Sequence, residues 1–385
     1  MTITAPAVAL APASIEDATA RVVTVAREHA GDVDAAARFP EEAVAELRSS
    51  GLFGLTVSAE NGGMGATPAQ FAVTMSAIAE ACGSTAMIFL MHCCAAAVIE
   101  AVSGQTWAET LRSMASGESL GTLAFSEKGS RSHFWAPVST ATPNGEQVTV
   151  AAEKSWVTSA GHAQVYVISS GSVTGAAGEV DLYVLSAQTP GFEMSGSFSG
   201  LGLRGNDSAP MAVASTVSEK ARLGDAAAGF GLMMSAVLPW FCLGNAAVSV
   251  GLARSAARAA TAHASAARLE HVGQSLSNLP TIRAQLSKMG IAVAMQTGYV
   301  KDVAERMTAP DDETLLHIIG VKASANEMAL TVTEMAMRVC GGAAFSKHLP
   351  VERVFRDARA GAVMAPTADM IYELYGLAVT GQPLF

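Results

Sequence analysis

The spacing of apolar residues divides the chain into three zones. From about Ser14 to Gly117, apolar positions recur at three-and-four spacing, the period of helices with one buried face. Between about Leu120 and Ser218 the pattern changes to short runs rich in Val, Thr and Ser, separated by Gly-containing turns, which predicts antiparallel strands. From Gly229 onward the helical period returns in long Ala-rich stretches. We therefore predict an α+β fold with a helical N-terminal domain, a middle antiparallel β-domain and a C-terminal four-helix bundle, over residues 1–118, 119–222 and 223–385.

Local signals refine the helical zones. Pro40 and Gly51 are placed as the start and stop of one short N-terminal helix. The bundle is predicted to contain three long helices and a shorter one from Thr367, the long ones covering about Phe230 to Arg268, Leu279 to Met307 and Glu313 to Cys340. The apolar stretch from Ala86 to Ile99 is shorter than the roughly 20 residues that span a bilayer. We expect it to be a buried helix.

The amino-acid composition argues against several kinds of binding partner and favours one cellular compartment. The 385 residues carry a formal net charge of −10, which argues against the basic surfaces that bind nucleic acid. The five cysteines include no CxxC pair, so we expect reduced, buried thiols and no metal site. The first thirteen residues are apolar but lack a basic segment, so no signal peptide is expected. These features together predict a cytoplasmic protein with no membrane partner.

One segment has the glycine spacing of a dinucleotide-binding motif but not its predicted secondary structure. Gly200, Gly202 and Gly205 fit GxGxxG, but that motif works where a strand turns into a helix whose N-terminus faces a pyrophosphate. The residues that follow, NDSAPMAVASTV, have the pattern of a turn and then a strand. We expect a β-domain turn here.

Four segments resemble the acyl-CoA dehydrogenase superfamily of FAD flavoproteins. They are FPEEAVAELRSSGLFGLTVSAENGGMGA near the N-terminus, LAFSEKGSRS and KSWVTSAGHA in the middle zone, and VCGGAAFSKHLPVERVFRDAR near the C-terminus. Together with the first bundle helix, the matches cover nearly the whole chain. The resemblance implies an FAD-dependent oxidoreductase that acts on an acyl-CoA thioester.

The middle-zone segments imply a flavin pocket. A flavin needs one apolar or aromatic wall and a few hydrogen-bond donors at its N5 and O4 edge. By resemblance Trp156 is the wall, Thr158 is the donor near N5 and O4, and Phe125 and Ser126 provide backbone contacts near the pyrimidine edge. Ser132 matches the serine that binds a CoA phosphate in the family.

The C-terminal segments imply contacts with the rest of FAD. Gly341 and Gly342 match glycines that approach the FAD of a neighbouring subunit, and the family is usually a homotetramer. Arg268 is either the family's pyrophosphate arginine, supplied across a subunit interface, or a solvated charge at a helix end. Thr367 and Asp369 match positions that contact FAD in relatives.

The usual catalytic base is missing. Desaturation of an acyl thioester requires a carboxylate near the α-carbon, and most of the family provides it from a glutamate shortly after the RDAK motif. Here Ala365 occupies that position. Glu373, the next acid downstream after Asp369, is a poor substitute at about two turns beyond. The alternative location on the first bundle helix, near Trp240 and Phe241, is apolar.

Three functions remain open. Members of this fold that lack the base include monooxygenases, in which reduced flavin reacts with O2, and IFLMHCCA resembles their helix that presents a histidine, here His92, to the pocket. We therefore expect an oxygenase or otherwise unusual oxidase, with His92 as the candidate catalytic residue and His162 as structural. The second function is a dehydrogenase with a displaced or water-relayed base, which passes electrons to an electron-transfer flavoprotein. The third is a flavoprotein without turnover.

Overall fold

A computed structural model describes residues 14–102, 104–131 and 133–383. Two of its N-terminal helices begin where side chains cap them: Ser14 accepts a hydrogen bond from the Asp17 main-chain N–H, and Thr67 and Gln70 form a capping box. Pro40 and Gly51 flank the second helix, as the sequence predicts. The helices are α1 Ile15–Ala36, α2 Glu41–Ser49, α3 Pro68–Ala81, α4 Gly83–Ala101 and α5 Ala108–Ala115.

The middle zone forms two sheets. Their strands are β1 Gly121–Ala124, β2 Thr140–Asn144, β3 Gln147–Val157, β4 Val165–Gly171, β5 Val180–Ser186, β6 Phe192–Met194 and β7 Ala209–Ser218. One sheet has the order β1-β4-β5 and the other β2-β3-β7-β6. The expectation of purely antiparallel pairing is corrected at β1, which pairs with β4 in parallel. Because the chain builds β2 and β3 in the other sheet before it returns as β4, the connection is long enough for a parallel pair.

The C-terminal zone is helical, as predicted, but less regular. A π-helical segment, Met233–Val237, interrupts the first predicted bundle helix, and sequence analysis missed the helix over Val351–Val363. The helices are α6 Gly229–Leu232, α7 Leu238–Ala266, α8 Pro280–Thr308, α9 Thr314–Cys340, α10 Gly342–Phe345, α11 Val351–Val363 and α12 Ala368–Val379; a small β8–β9 pair (Arg268–Leu269, Gln274–Ser275) joins α7 to α8.

The most apolar helices lie in the core. Two stretches, α4 and Gly229–Ala266, are long and apolar enough to cross a membrane, but 78% and 83% of their apolar windows are buried inside the fold. That burial is typical of core helices. Small residues allow the close packing: a Cβ on Gly251 of α7 would lie 2.3 Å from the Ser76 carbonyl oxygen of α3. The five cysteines are buried and free.

Candidate active site

A cavity of about 760 Å³ opens between the β-domain, the loop between β6 and β7, and the helical zone. The part formed by β1, β3 and the segments after them is called the β wall, and its residues are Leu123, Phe125, Ser126, Trp156 and Thr158. The part formed by the start of the bundle and the end of α11 is called the helical wall, and its residues are Val237, Leu238, Phe241, Val363, Met364 and Ala365. Arg356, Arg359 and Ala360 of α11, and Thr367 beyond it, line the cavity next to this wall. The loop that contains Gly200, Gly202 and Leu203 lines a further side of the cavity. No helix follows that loop, as expected.

An irregularity in β3 turns Trp156 toward the cavity. The register between β3 and β7 shifts between Lys154 and Val157, and Trp156 takes a φ of +56°. A bulge of this kind bends a strand and re-aims a side chain. The indole is 69% exposed, although Lys154 and Val157, the nearest inward-facing residues of β3, are buried. A broad aromatic face is therefore presented to the cavity.

Polar groups lie beside this indole. The Thr158 hydroxyl is 3.1 Å from the Ser208 hydroxyl, and both residues line the cavity. The Thr158 carbonyl oxygen accepts a hydrogen bond from the Thr122 hydroxyl at 2.6 Å, which fixes the main chain. Asn206, also in the lining, has a buried side-chain oxygen with no hydrogen-bond partner in the described structure. An unpaired buried acceptor costs free energy, so a donor from a bound group would satisfy it.

A buried ion pair joins the two segments of the β wall. Lys154 Nζ lies 2.5 Å from Glu127 Oε1 and donates to the Ser169 carbonyl oxygen at 2.6 Å. The Glu127 carboxylate also accepts hydrogen bonds from the main-chain N–H groups of Val138 and Ser139 and from the Ser139 hydroxyl. Burial lowers the pKa of Lys154 to about 8, while Glu127 opposes that shift. The pair links Glu127, which follows Ser126, to Lys154 on β3, the strand that bears Trp156.

Sequence reasoning missed this ion pair, although a signal was present. Along β3, Val148, Val150, Ala152 and Lys154 alternate with outward residues and are all buried. A lysine at an inward position of a strand requires a buried partner. This pattern predicts that Lys154 has a buried acidic partner, but it does not identify which Asp or Glu that partner is.

The helical wall carries no proton acceptor. Ala365 lines the cavity, and its neighbours in the wall are Val, Leu, Phe and Met side chains. Among the described residues that line the whole cavity, Glu127 is the one acid, and its carboxylate is occupied as described above. Glu373 and Asp369 are exposed on α12 and do not contribute to the lining.

The expected role of His92 needs correction. His92 is fully buried and lies outside the cavity lining, whereas Met87 and Met91 of the same helix line it. Its Nδ1 accepts a hydrogen bond from the Gly121 N–H at 3.0 Å, and its Nε2 lies 3.0 Å from the Phe53 carbonyl oxygen. Burial lowers the pKa of His92 to about 4. Both nitrogens of this neutral ring are used by the main chain, so none is directed at the cavity.

The remaining candidates are distributed as follows. Thr367 lines the cavity, and Arg268, Gly341, Gly342 and Asp369 are exposed outside its lining. Ser132 lies outside the described residues, but Arg131 and Phe134 on either side of it line the cavity. His162 stacks on Phe39 with ring centroids 3.7 Å apart, in agreement with a structural role. No group of three His, Cys, Asp or Glu side chains in the described part of the chain could hold a metal ion.

These features fit a flavin better than a small aliphatic ligand. The cavity combines one broad aromatic face, a hydroxyl pair at its edge and an unsatisfied amide oxygen. A planar ring system with a polar edge uses all three. Trp156, Thr158, Phe125 and Ser126 are brought to a single wall, as the resemblance implied.

Comparisons with known proteins show which family and fold this chain shares. The family models of the acyl-CoA dehydrogenase N-terminal, middle and C-terminal domains match residues 14–118, 122–215 and 227–374. The probable acyl-CoA dehydrogenase YngJ of Bacillus subtilis is 26% identical over 347 residues, which cover 86% of this chain and 87% of YngJ.

Two solved structures show the same fold. Butyryl-CoA dehydrogenase from Megasphaera elsdenii superposes with a TM-score of 0.87 at 20% identity and covers 94% of this chain and 98% of its own. The prolyl acyl carrier protein oxidase AnaB superposes with a TM-score of 0.87 at 18% identity, over 96% of this chain and all of its own. The chain therefore belongs to the acyl-CoA dehydrogenase family and is an FAD-dependent oxidoreductase.

Proposed function

We propose that this enzyme oxidises an acyl-CoA thioester by oxidase or oxygenase chemistry, with O2 as the electron acceptor. The observation that carries the proposal is the lining of the cavity, where Ala365 presents a methyl group and Glu127, held in an ion pair, is the one acid among the described lining residues. By resemblance, Ala365 stands where most of the family has its carboxylate. A general base must lie within hydrogen-bond reach of the proton it removes. Because the cavity offers no free carboxylate among its described residues, a reaction that depends on such a base is disfavoured.

The β wall supports the cofactor side of the proposal. Bound FAD supplies the electron-accepting ring and, once reduced, reactivity toward O2. We assign the Trp156 indole to pack on that ring, the Thr158 hydroxyl to donate at its polar edge, and Phe125 and Ser126 to contact it through the main chain. The Glu127–Lys154 ion pair holds these groups in place from behind. The pocket for the ring is thus set before substrate arrives.

The helical wall supports the substrate side. Val237, Leu238 and Phe241 make the wall apolar along the start of the bundle, and Val363 and Met364 continue it beside Ala365. An apolar lining excludes water from the reacting groups. We place the acyl chain against this wall. For the CoA phosphate we propose Ser132, which lies in sequence between the lining residues Arg131 and Phe134.

Assembly and location are part of the same proposal. Gly341, Gly342 and Arg268 are exposed, and we assign them, with Thr367 and Asp369, to FAD contacts that are completed in a homotetramer. We expect the enzyme in the cytoplasm. Light scattering of the purified holoenzyme tests the assembly, since a monomer that retains FAD through dilution would contradict shared cofactor sites.

Oxygen consumption tests the reaction. The purified holoenzyme is mixed with a panel of acyl-CoA thioesters in aerated buffer, one sample with oxidised flavin and one with flavin reduced beforehand by dithionite, which supplies the two electrons that an oxygenase needs. Oxygen is followed with an electrode, and products are identified by mass spectrometry. We expect substrate-dependent oxygen uptake with an oxygenated product or with hydrogen peroxide. Anaerobic turnover to an enoyl-CoA with a dye or an electron-transfer flavoprotein, without oxygen uptake, would contradict the proposal.

That contrary result defines the second candidate function, α,β-desaturation with a displaced or water-relayed base. The names of the curated relatives favour it, because they are acyl-CoA dehydrogenases, including the short-chain enzyme of Bos taurus at 25% identity over 351 residues. An electron-transfer flavoprotein would then be the partner. A holoenzyme inert toward every thioester, with or without oxygen, would leave the role of a non-catalytic flavoprotein.

A further inference from the structure

A buried cation lies directly behind the helical wall. Lys322 of α9 has no exposed surface. Its Nζ donates to the carbonyl oxygens of Gly361 at 3.2 Å, Met364 at 3.1 Å and Pro366 at 2.9 Å. Among the residues that the structure describes, no carboxylate lies within 4.0 Å of this ammonium group. Lys322 therefore differs from Lys154, whose counter-charge is Glu127.

The three carbonyl oxygens stabilise the buried positive charge of Lys322. Removing an ammonium group from water costs several kcal/mol unless its donors are satisfied. Lysine has three donors, and here each has an acceptor. The acceptors lie at and just beyond the C-terminal end of α11, where free carbonyl groups and the negative end of the helix dipole favour a cation. Burial lowers the pKa of Lys322 to about 8, so the charged form still dominates at neutral pH.

The same stretch of main chain is fixed by further side chains from behind. Asn326 of α9 donates to the Gly361 carbonyl oxygen at 2.9 Å, and Asn245 of α7 lies 3.6 Å from the Met364 sulfur. A Cβ on Gly361 would lie 2.4 Å from the Asn326 side-chain oxygen, so the contact requires glycine. The polar anchors act on residues 361, 364 and 366, which flank the cavity-facing Ala365.

We propose that Lys322 is a positioning residue of the active site. By holding three carbonyl oxygens on either side of Ala365, it sets where Ala365 and Thr367 stand relative to the flavin and the acyl chain. Its ammonium group also lies 6.0 Å from the centroid of the Phe241 ring, which belongs to the helical wall, so its charge acts on the cavity through that ring. This inference rests on the proposed placement of FAD and substrate between the two walls.

The test compares Lys322→Met and Lys322→Gln holoenzymes with wild type. Methionine keeps the length of the side chain without charge or donors, and glutamine keeps donors without charge. Lys301→Met is the matched control, because Lys301 is exposed on α8. The measurements are the visible spectrum and midpoint potential of bound flavin, taken without turnover, followed by kcat and KM with an active thioester.

We expect Lys322→Met to bind FAD with a shifted flavin spectrum and potential, and to lose roughly 10²-fold in kcat with little change in KM, because displacement of a reacting group by about 1 Å costs that much. Lys322→Gln should recover part of the loss, and Lys301→Met should behave as wild type. A Met variant with wild-type spectrum, potential and kcat would overturn the proposal. Loss of fold and FAD in both Lys322 variants would equally overturn it, in favour of a purely structural role.

The design separates this inference from the proposed function. Flavin spectrum and potential are measured whether or not oxygen is the natural acceptor. If wild type desaturates thioesters without oxygen uptake while Lys322→Met shifts the flavin, the oxidase proposal fails and the positioning role stands.

Discussion

The two walls of the cavity are built in opposite ways. The β wall presents an exposed indole and hydroxyl groups, and an ion pair and main-chain hydrogen bonds behind it satisfy its buried polar atoms. The helical wall as defined presents apolar side chains, and the carbonyl groups at and just beyond the end of α11 accept hydrogen bonds from Lys322 behind it. Arg356, Arg359 and Thr367 line the cavity next to this wall and are basic or neutral. The two walls thus differ in that the β wall offers polar contacts, whereas the helical wall offers shape and no carboxylate.

This difference separates cofactor binding from proton transfer. The features that fit a flavin lie on the β wall and on the adjoining residues Asn206 and Ser208 before β7. Ala365, which the resemblance aligned with the proton acceptor of most of the family, lies on the helical wall. The comparison implies that chemistry can be changed at one wall without damage to the other. The predictions below test each wall separately, and one tests the exclusion of His92 from the cavity.

The largest effect is expected from Ala365→Glu. A carboxylate at this position restores an acceptor beside the α-carbon, and general-base catalysis contributes about 10²–10⁴-fold. We expect anaerobic, dye-linked formation of enoyl thioester to rise by at least about 10²-fold, measured by mass spectrometry of the product. Ala365→Gln is the matched control, because it has nearly the same shape without a basic carboxylate. Equal rates in the two variants, with a bound and reducible ligand, would refute the placement of residue 365.

The next effect concerns the β wall. Lys154→Met leaves the Glu127 carboxylate buried without its counter-charge, and breaking a buried pair from one side costs about 3–5 kcal/mol. We expect the free energy of unfolding in urea to fall by that amount and FAD to be lost on gel filtration. Lys128→Met, an exposed neighbour of Glu127 in sequence, should change stability by less than about 0.5 kcal/mol. A Lys154→Met protein as stable as that control would show that the pair does not hold the wall.

The candidate residues that the fold brings to the cavity share a local signal in the sequence. Trp156 and Thr158 stand in one short segment and Phe125 and Ser126 in another, and the fold brings both segments to the cavity. Ala365 was found because a single position departs from a family pattern. In each case the information lies within about ten residues of the side chain.

The missed features depend on contacts that are distant in sequence. The two hydrogen-bond partners of His92 lie on residues 39 and 29 positions away, and those of Lys322 lie 39 to 44 positions away. An apolar helical pattern indicates that such residues are buried, but it does not identify the main-chain groups that satisfy them. The parallel pairing of β1 with β4 was missed for the same reason.

His92 provides a third prediction, which concerns stability at acidic pH. Its pKa is about 4 in the folded chain because of burial and about 6.5 in an unfolded chain. Between these values the unfolded state binds a proton that the folded state does not, so stability is complete above pH 6.5 and falls as the pH drops toward 4. We expect His92 to lower the free energy of unfolding by up to about 3 kcal/mol between pH 6.5 and pH 4.

Urea unfolding at a series of pH values measures the difference. His92→Gln should have a lower stability at neutral pH but a shallower decline between pH 6.5 and 4 than wild type. His348→Gln, at an exposed position, should follow the wild-type slope. An unchanged slope in His92→Gln would mean that His92 titrates normally and is accessible, which would reopen its role at the cavity.

The smallest effect is expected at the exposed face of the β wall. Because the Trp156 indole is 69% exposed, Trp156→Ala removes little packing within the protein but one face of the proposed flavin contact. Aromatic stacking contributes about 0.5–1.5 kcal/mol, so FAD affinity should fall roughly threefold to tenfold in a fluorescence titration, and Trp156→Phe should recover most of it. The melting temperature of the FAD-free protein should stay unchanged in both variants. A clearly lower melting temperature of the FAD-free Trp156→Ala protein would mean that the indole packs in the protein core. The cavity would then lack the aromatic face that we assign to the flavin.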